Sequence, residues 1–366
     1  MSMKEFLKKY GVITVITSII LLLFILTLIL LLRDEGTQPV DFDAERPAPS
    51  ADLDIIDQPL GYHKNYSISF SSNVLEKLNE FEKSFYPSFK INDENHFQWG
   101  EKFANDILRG NFQYGEDSVN PELINHYWED GEDTVSYDYN RDSLFFTLEQ
   151  GVLLPDTDFV PNDSENVYQN LRNIAKNYFS SDFDYVVEEV FREGNDYRVN
   201  FSRLLENQPI YMGSQNEYLI LTPDGRLKEG LFLLAEFVQQ EDMNYPLISS
   251  TQIASEINSL EYPKNVEFFN LPDEVEEEYI PYGYKVYSEP FLQRGKVDVS
   301  DARLVYFYVN RGQGALVINF LFDGVGDLDV EGELTRADFK ILASAISFEY
   351  VFVPPTSFFE ELGGAS

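Results

Sequence analysis

Four carboxylates and one backbone carbonyl near the C-terminus have the spacing of a calcium loop. In Asp327-Leu328-Asp329-Val330-Glu331-Gly332-Glu333-Leu334-Thr335-Arg336-Ala337-Asp338, the side chains of Asp327, Asp329, Glu331 and Asp338 and the Glu333 carbonyl fall where a twelve-residue loop places its oxygens. Gly332 takes the position of the sharp turn. Two residues depart from the preferred chemistry. Glu331 stands where Asp or Asn is usual, and Asp338 where a bidentate Glu closes the site. The competing reading is an acidic hairpin, with Asp327 to Glu333 as the turn between a strand at Phe320 and an alternating Phe339, Ile341, Ala343, Ala345 strand.

Other chemistries have less to build on. His63, His96 and His126 are the only histidines, and no two fall three or four residues apart, so neither a helical zinc pair nor a His-dependent triad is signalled. Cysteine is absent, which excludes disulfides and thiolate metal sites. Asp273-Glu274 and Glu276-Glu277-Glu278 form the densest acidic run. Paired carboxylates serve glycosidases, yet 63 acids supply such pairs by chance, and a solvated loop explains this one. Gly312-Gln313-Gly314 reads as a hairpin turn and not as a phosphate loop. These residues point away from an enzyme.

Charge decides what the chain can meet. A formal net charge of −36 repels nucleic acid and other polyanions and attracts cations and basic protein surfaces. Lys4, Lys8, Lys9 and Arg33 flank the one segment free of charge, Gly11 to Leu32, which is built of Val, Ile, Leu and Phe with a few Gly, Thr and Ser. At about 1.5 Å per residue it spans roughly 33 Å, enough for a hydrocarbon core of about 30 Å. No small-residue cleavage site follows it, so an uncleaved single-pass anchor in the lipid bilayer is expected, with residues 1–10 cytoplasmic and the body extracytoplasmic. Residues 33–64 are acidic and Pro-containing and read as an extended stalk.

Beyond the stalk the pattern alternates helix and strand. Val74, Leu78, Phe81 and Phe85 line an amphipathic helix with Asn73 as its N-cap, and Trp99, Phe103 and Ile107 line a second that ends at Arg109-Gly110. A hairpin over 134–139 and 143–148 follows, completing a first module over 65–160. In the next, over 161–248, Val167, Leu171, Ile174 and Tyr178 share a helix face. Strands then fall at 186–191, 197–201 and 218–221, and the apolar run 231–238 reads as a long strand, with a short helix as the alternative. The third, over 249–353, opens with a Ser249 to Gln252 capping box above Ile253, Ile257 and Leu260, with strands at 282–287, 303–309 and 315–322. Residues 354–366 read as a tail. The fold class expected is α+β: an N-terminal transmembrane helix, then repeated modules of antiparallel sheet covered by a helix.

The order of helix, Tyr197-to-Phe201 strand, Asp224-Gly225 turn and Ser249-Ser250-Thr251-Gln252 helix start resembles PepSY-like domains. Arg303 to Phe307 and Phe320 to Gly324 look like the closing strands of the related YycH/YycI accessory proteins. The resemblance covers about 166–353. It implies a non-catalytic modulator that binds a protein partner, a membrane kinase or a secreted peptidase, and it assigns no residue a role. The alternatives from the residues themselves are a calcium-binding surface or adhesion protein and an acidic hydrolase.

Overall fold

The computed structural model describes residues 66–346, apart from 82–84, 93–95, 111, 121–122, 214–215, 260–263, 270–294, 310–314 and 331–332. The apolar run 11–32, the stalk, His63, the acidic run at 273–278, Gly312-Gln313-Gly314, the strand expected at 282–287 and the tail all lie outside the described residues. Among the described residues no helix is long and apolar enough to cross a membrane.

Strands dominate, which overturns the expected α+β class. Among the described residues sixteen strands stand against four helices: α1 (Ser72–Phe81), α2 (Phe97–Ile107), α3 (Ser164–Tyr178) and α4 (Ser250–Glu256). Fourteen of the described strands hydrogen-bond into one sheet, and the described residues fall in one compact unit. Two features hid this from the sequence. The polar pair β3 (Gln113–Asn120) and β4 (Leu123–Asp130) carries little apolar alternation. The apolar run 231–238, expected as one strand, is broken at Leu234 to Glu236 into two that join different sheets, β11 (Leu227–Leu233) and β12 (Phe237–Pro246).

The sheet has a middle lobe and an outer lobe, each with its own core. In the middle lobe α2 leads into β3, β4, β5 (Asp133–Asp138) and β6 (Ser143–Val152). Helix α3 leads into β7 (Tyr185–Glu193), β8 (Asp196–Leu205), the short β9 (Gln208–Tyr211), β10 (Tyr218–Leu221) and β11. Their spatial order is β3-β4-β5-β6-β11-β10-β8-β7. Two helix-plus-four-strand units thus meet through their last strands, Phe145 opposite Leu231 and Phe146 opposite Gly230. Helix faces and alternate strand residues build the core: Phe103, Ile107, Val167, Leu171, Ile174, Val135, Tyr137, Phe146, Phe201 and Phe232 are all buried. The Asp163 carboxylate caps α3 by accepting from the Glu165 and Asn166 N–H groups at 3.1 Å each. Arg109 and Gly110, both at positive φ, stop α2.

The outer lobe is long antiparallel sheet. Strand β14 (Gly295–Phe307) pairs with β15 (Ile318–Val330), which pairs with β16 (Glu333–Ser344), which pairs with β13 (Lys264–Phe269). On its other edge β14 takes β1 (Tyr66–Phe70) in parallel along its first half and β9 at Tyr306 and Phe307. Strand β2 (Phe85–Ile91) pairs with β12 as a separate two-stranded sheet. Helices α1 and α4 contribute Val74, Leu78 and Ile253 to the core over Val297, Leu304, Phe320 and Ile341. Ser71, and not Asn73, starts α1, its hydroxyl accepting from Val74 N–H at 3.4 Å, and Phe85 belongs to β2. The Ser249 hydroxyl accepts from Gln252 N–H as its spacing predicts.

Candidate functional site

Buried polar groups gather where the two lobes join. Asp142, at positive φ in the turn after β5, is fully buried. It accepts from the Tyr137 hydroxyl at 2.7 Å, and its other oxygen lies 2.7 Å from His96 Nδ1. Its carbonyl accepts from Leu234 N–H, and the Arg141 carbonyl accepts from the Tyr308 hydroxyl of the outer lobe. His96, whose ring packs on Trp99, turns a buried Nε2 toward the Glu236 carboxylate at 3.9 Å.

Arg203 of β8 lies beside this turn. Its guanidinium donates to the Ala235 carbonyl and stacks 3.5 Å from the Phe183 ring centroid and 5.0 Å from that of Phe237. Burial pulls it below the usual arginine range, against the carboxylates of Glu217, Glu236 and Asp142. Glu217 sits just before β10, where its two oxygens accept from Arg203 N–H in one neighbouring strand and Leu233 N–H in the other, at 2.9 Å each. Burial pushes its carboxyl up to about 7, the two backbone donors pulling the other way. The Asp142 carboxylate orients the His96 ring, while the Asp142 and Arg141 carbonyls tie the same turn to the crossover and to the outer lobe. Sequence spacing gave no hint of it, since His96 and Asp142 are 46 residues apart.

The second feature is a bare sheet face. In the middle lobe one face carries the core under α2 and α3. The pairing register puts a different row on the other: Tyr127, Ser136, Phe145, Leu231, Tyr218 and Asn200, side by side on β4, β5, β6, β11, β10 and β8. All six are partly exposed and none belongs to a buried core. At about 4.8 Å per strand the row from Tyr127 to Tyr218 runs about 19 Å. Its neighbouring row holds Glu129, Thr134, Thr147, Glu229, Ile220 and Arg198. The Tyr127 ring lies across β3, where a Cβ on Gly115 would meet it at 2.3 Å, so glycine there lets the ring lie flat.

The carboxylates with calcium spacing lie in the hairpin of β15 and β16. Asp327 stands opposite Arg336, whose Nη1 is 3.6 Å from its Oδ1; Asp329 pairs with Leu334, Glu333 with Val330, and Asp338 with Val325. Glu331 lies outside the described residues. Among the described residues no group of three or more His, Cys, Asp or Glu gathers to hold a metal ion. His126 of β4 meets the Tyr114 hydroxyl at 2.8 Å, and burial lowers its basicity.

No family model matches the chain, and no curated protein does. It is similar to an uncharacterized protein from Eubacterium rectale ATCC 33656 at 12% identity, over 77% of this chain and 89% of that one, with a TM-score of 0.46. That likeness carries no argument.

Proposed function

We propose that the chain is a non-catalytic binding protein, tethered to a membrane through its apolar run Gly11 to Leu32, whose extracytoplasmic body holds and modulates a protein partner. The PepSY-like resemblance suggests a membrane kinase or a secreted peptidase as that partner. The observation that carries the reading is the bare face of the middle lobe. Among the described residues helices roof this eight-stranded sheet on one side, and the other carries the partly exposed Tyr127, Phe145, Leu231 and Tyr218 in one row. A contiguous partly apolar patch rimmed by polar residues is the surface type that marks interaction sites. Aromatic side chains of this kind supply large contact area at low entropic cost. The test is crosslinking of the full chain at native levels, with a photoreactive residue at Ser136. One defined membrane or secreted protein should be captured, and Phe145→Ser should reduce the yield at least tenfold. If no such protein is recovered, the binding role is lost.

A further inference from the structure

The next step rests on that reading and names the partner's chemistry. We propose that the bare face receives a basic protein segment, its arginines stacked on the Tyr127 and Phe145 rings between carboxylates. The chain shows this contact on the other half of the same face. Arg198 Cζ lies 3.9 Å from the Tyr218 ring centroid, Glu193 sits 3.6 Å from the guanidinium, and the Tyr218 hydroxyl bonds Glu229. A guanidinium is attracted to a ring face and held in register by a carboxylate beside it. On the β4 to β6 half the rings have no such cover: among the described residues no cation lies over Tyr127 or Phe145. Carboxylates are nevertheless present: Glu129 stands in the row beside them, and Glu229, which bonds the Tyr218 hydroxyl, three strands along that row.

Charge selects among occupants. The two cations on this side of the lobe are already matched, Arg198 with Glu193 and Lys228 with Asp196 at 2.9 Å. What they leave is negative, in a chain of net charge −36. An anionic lipid surface is repelled by that field, whereas an arginine-bearing protein segment is drawn to it.

The experiment titrates the purified full chain with a 15-residue synthetic peptide alternating Arg with Leu, and with the same peptide carrying Glu for Arg. Hydrogen exchange is read over β4, β5, β6 and β11. The basic peptide should bind, protect those strands and lose affinity as salt rises, while the acidic peptide does not bind. The double variant Tyr127→Ala/Phe145→Ser should weaken binding at least tenfold. Glu129→Lys, an exposed change that leaves the rings in place, should weaken it at least threefold. Failure of the basic peptide to bind, or equal binding by wild type and both variants with protection elsewhere, overturns the inference. Crosslinked capture of an acidic partner through Ser136 would overturn it too while leaving the binding role standing, and capture of nothing would remove both.

Discussion

The middle lobe closes over its own hairpins, whereas the outer lobe is assembled from both ends of the described chain. In the middle lobe each strand pairs with one nearby in sequence until the two halves meet at β6 and β11. In the outer lobe β1 lies parallel to β14, Tyr66 opposite Gly295, and β2 finds β12 only after the middle lobe has been laid down between them. The middle lobe is therefore an insertion in the path of the outer one, and the two share a seam at Asn92, where its N–H donates to the Glu236 carbonyl. An inserted lobe can spare one sheet face from packing, and among the described residues no helix packs on this one. The outer lobe packs apolar residues on both faces of its sheet, with Tyr211, Val305, Phe307, Leu321 and Leu342 forming a further buried cluster.

The seam is where the comparison breaks most easily. Arg203 is 4% exposed and holds the Ala235 carbonyl of the strand-to-strand crossover, with Glu217, Glu236 and Asp142 around it. Removing the charge from a buried cluster of this kind costs about 3 to 5 kcal/mol, because Asp142 stays buried and the Ala235 carbonyl loses its donor. Arg203→Met should lower the unfolding free energy by that amount and separate the lobes into two transitions. A single transition at the wild-type midpoint would show that the lobes do not depend on this contact.

How much of this was legible follows from the same wiring. The faces of α2 and α3, the Asp138 to Ser143 hairpin and the Ser249 cap depend on residues a few positions apart, and their spacing is written in the sequence. The union of β1 with β14, or of His96 with Asp142, depends on distant residues meeting, and no local pattern encodes it. The bare face was half legible. Alternation in Thr134 to Tyr139 and Ser143 to Leu148 separates Phe145 from Phe146, yet only the order of strands and the side taken by the helices decide which one is left open.

Glu217 gives the seam a pH dependence of definite sign. Its carboxyl sits at about 7 in the folded protein against an ordinary 4.5, so between these values the folded state holds a proton that the unfolded state has released. The contribution is full below about 4.5 and is lost as pH rises through about 7, and at 1.36 kcal/mol per pH unit it is on the order of 3 kcal/mol. Glu217→Gln keeps an acceptor for one of the two backbone donors and cannot titrate. Wild-type stability relative to this variant should fall from pH 5 to pH 8; parallel stability curves would mean that Glu217 titrates as an ordinary carboxylate.

The smallest effect separates the lobes by what their sheets are packed against. A Cβ on Gly326 of β15 would stand 2.0 Å from the Lys296 carbonyl oxygen and 2.9 Å from its carbon, so β14 itself must shift. One on Gly230 of β11 would meet Leu219 Cδ2 and Phe146 Cζ at 2.7 Å, side-chain ends in the core whose backbone need not move. Overpacking costs about 1 to 3 kcal/mol, the upper end where backbone must move. Gly326→Ala should therefore cost about 3 kcal/mol and Gly230→Ala about 1 kcal/mol in urea unfolding. The order matters more than either value. Equal losses would mean that the long β14 to β15 ladder yields as readily as a side-chain core, and the rigidity that distinguishes the outer lobe from the middle one would lie elsewhere.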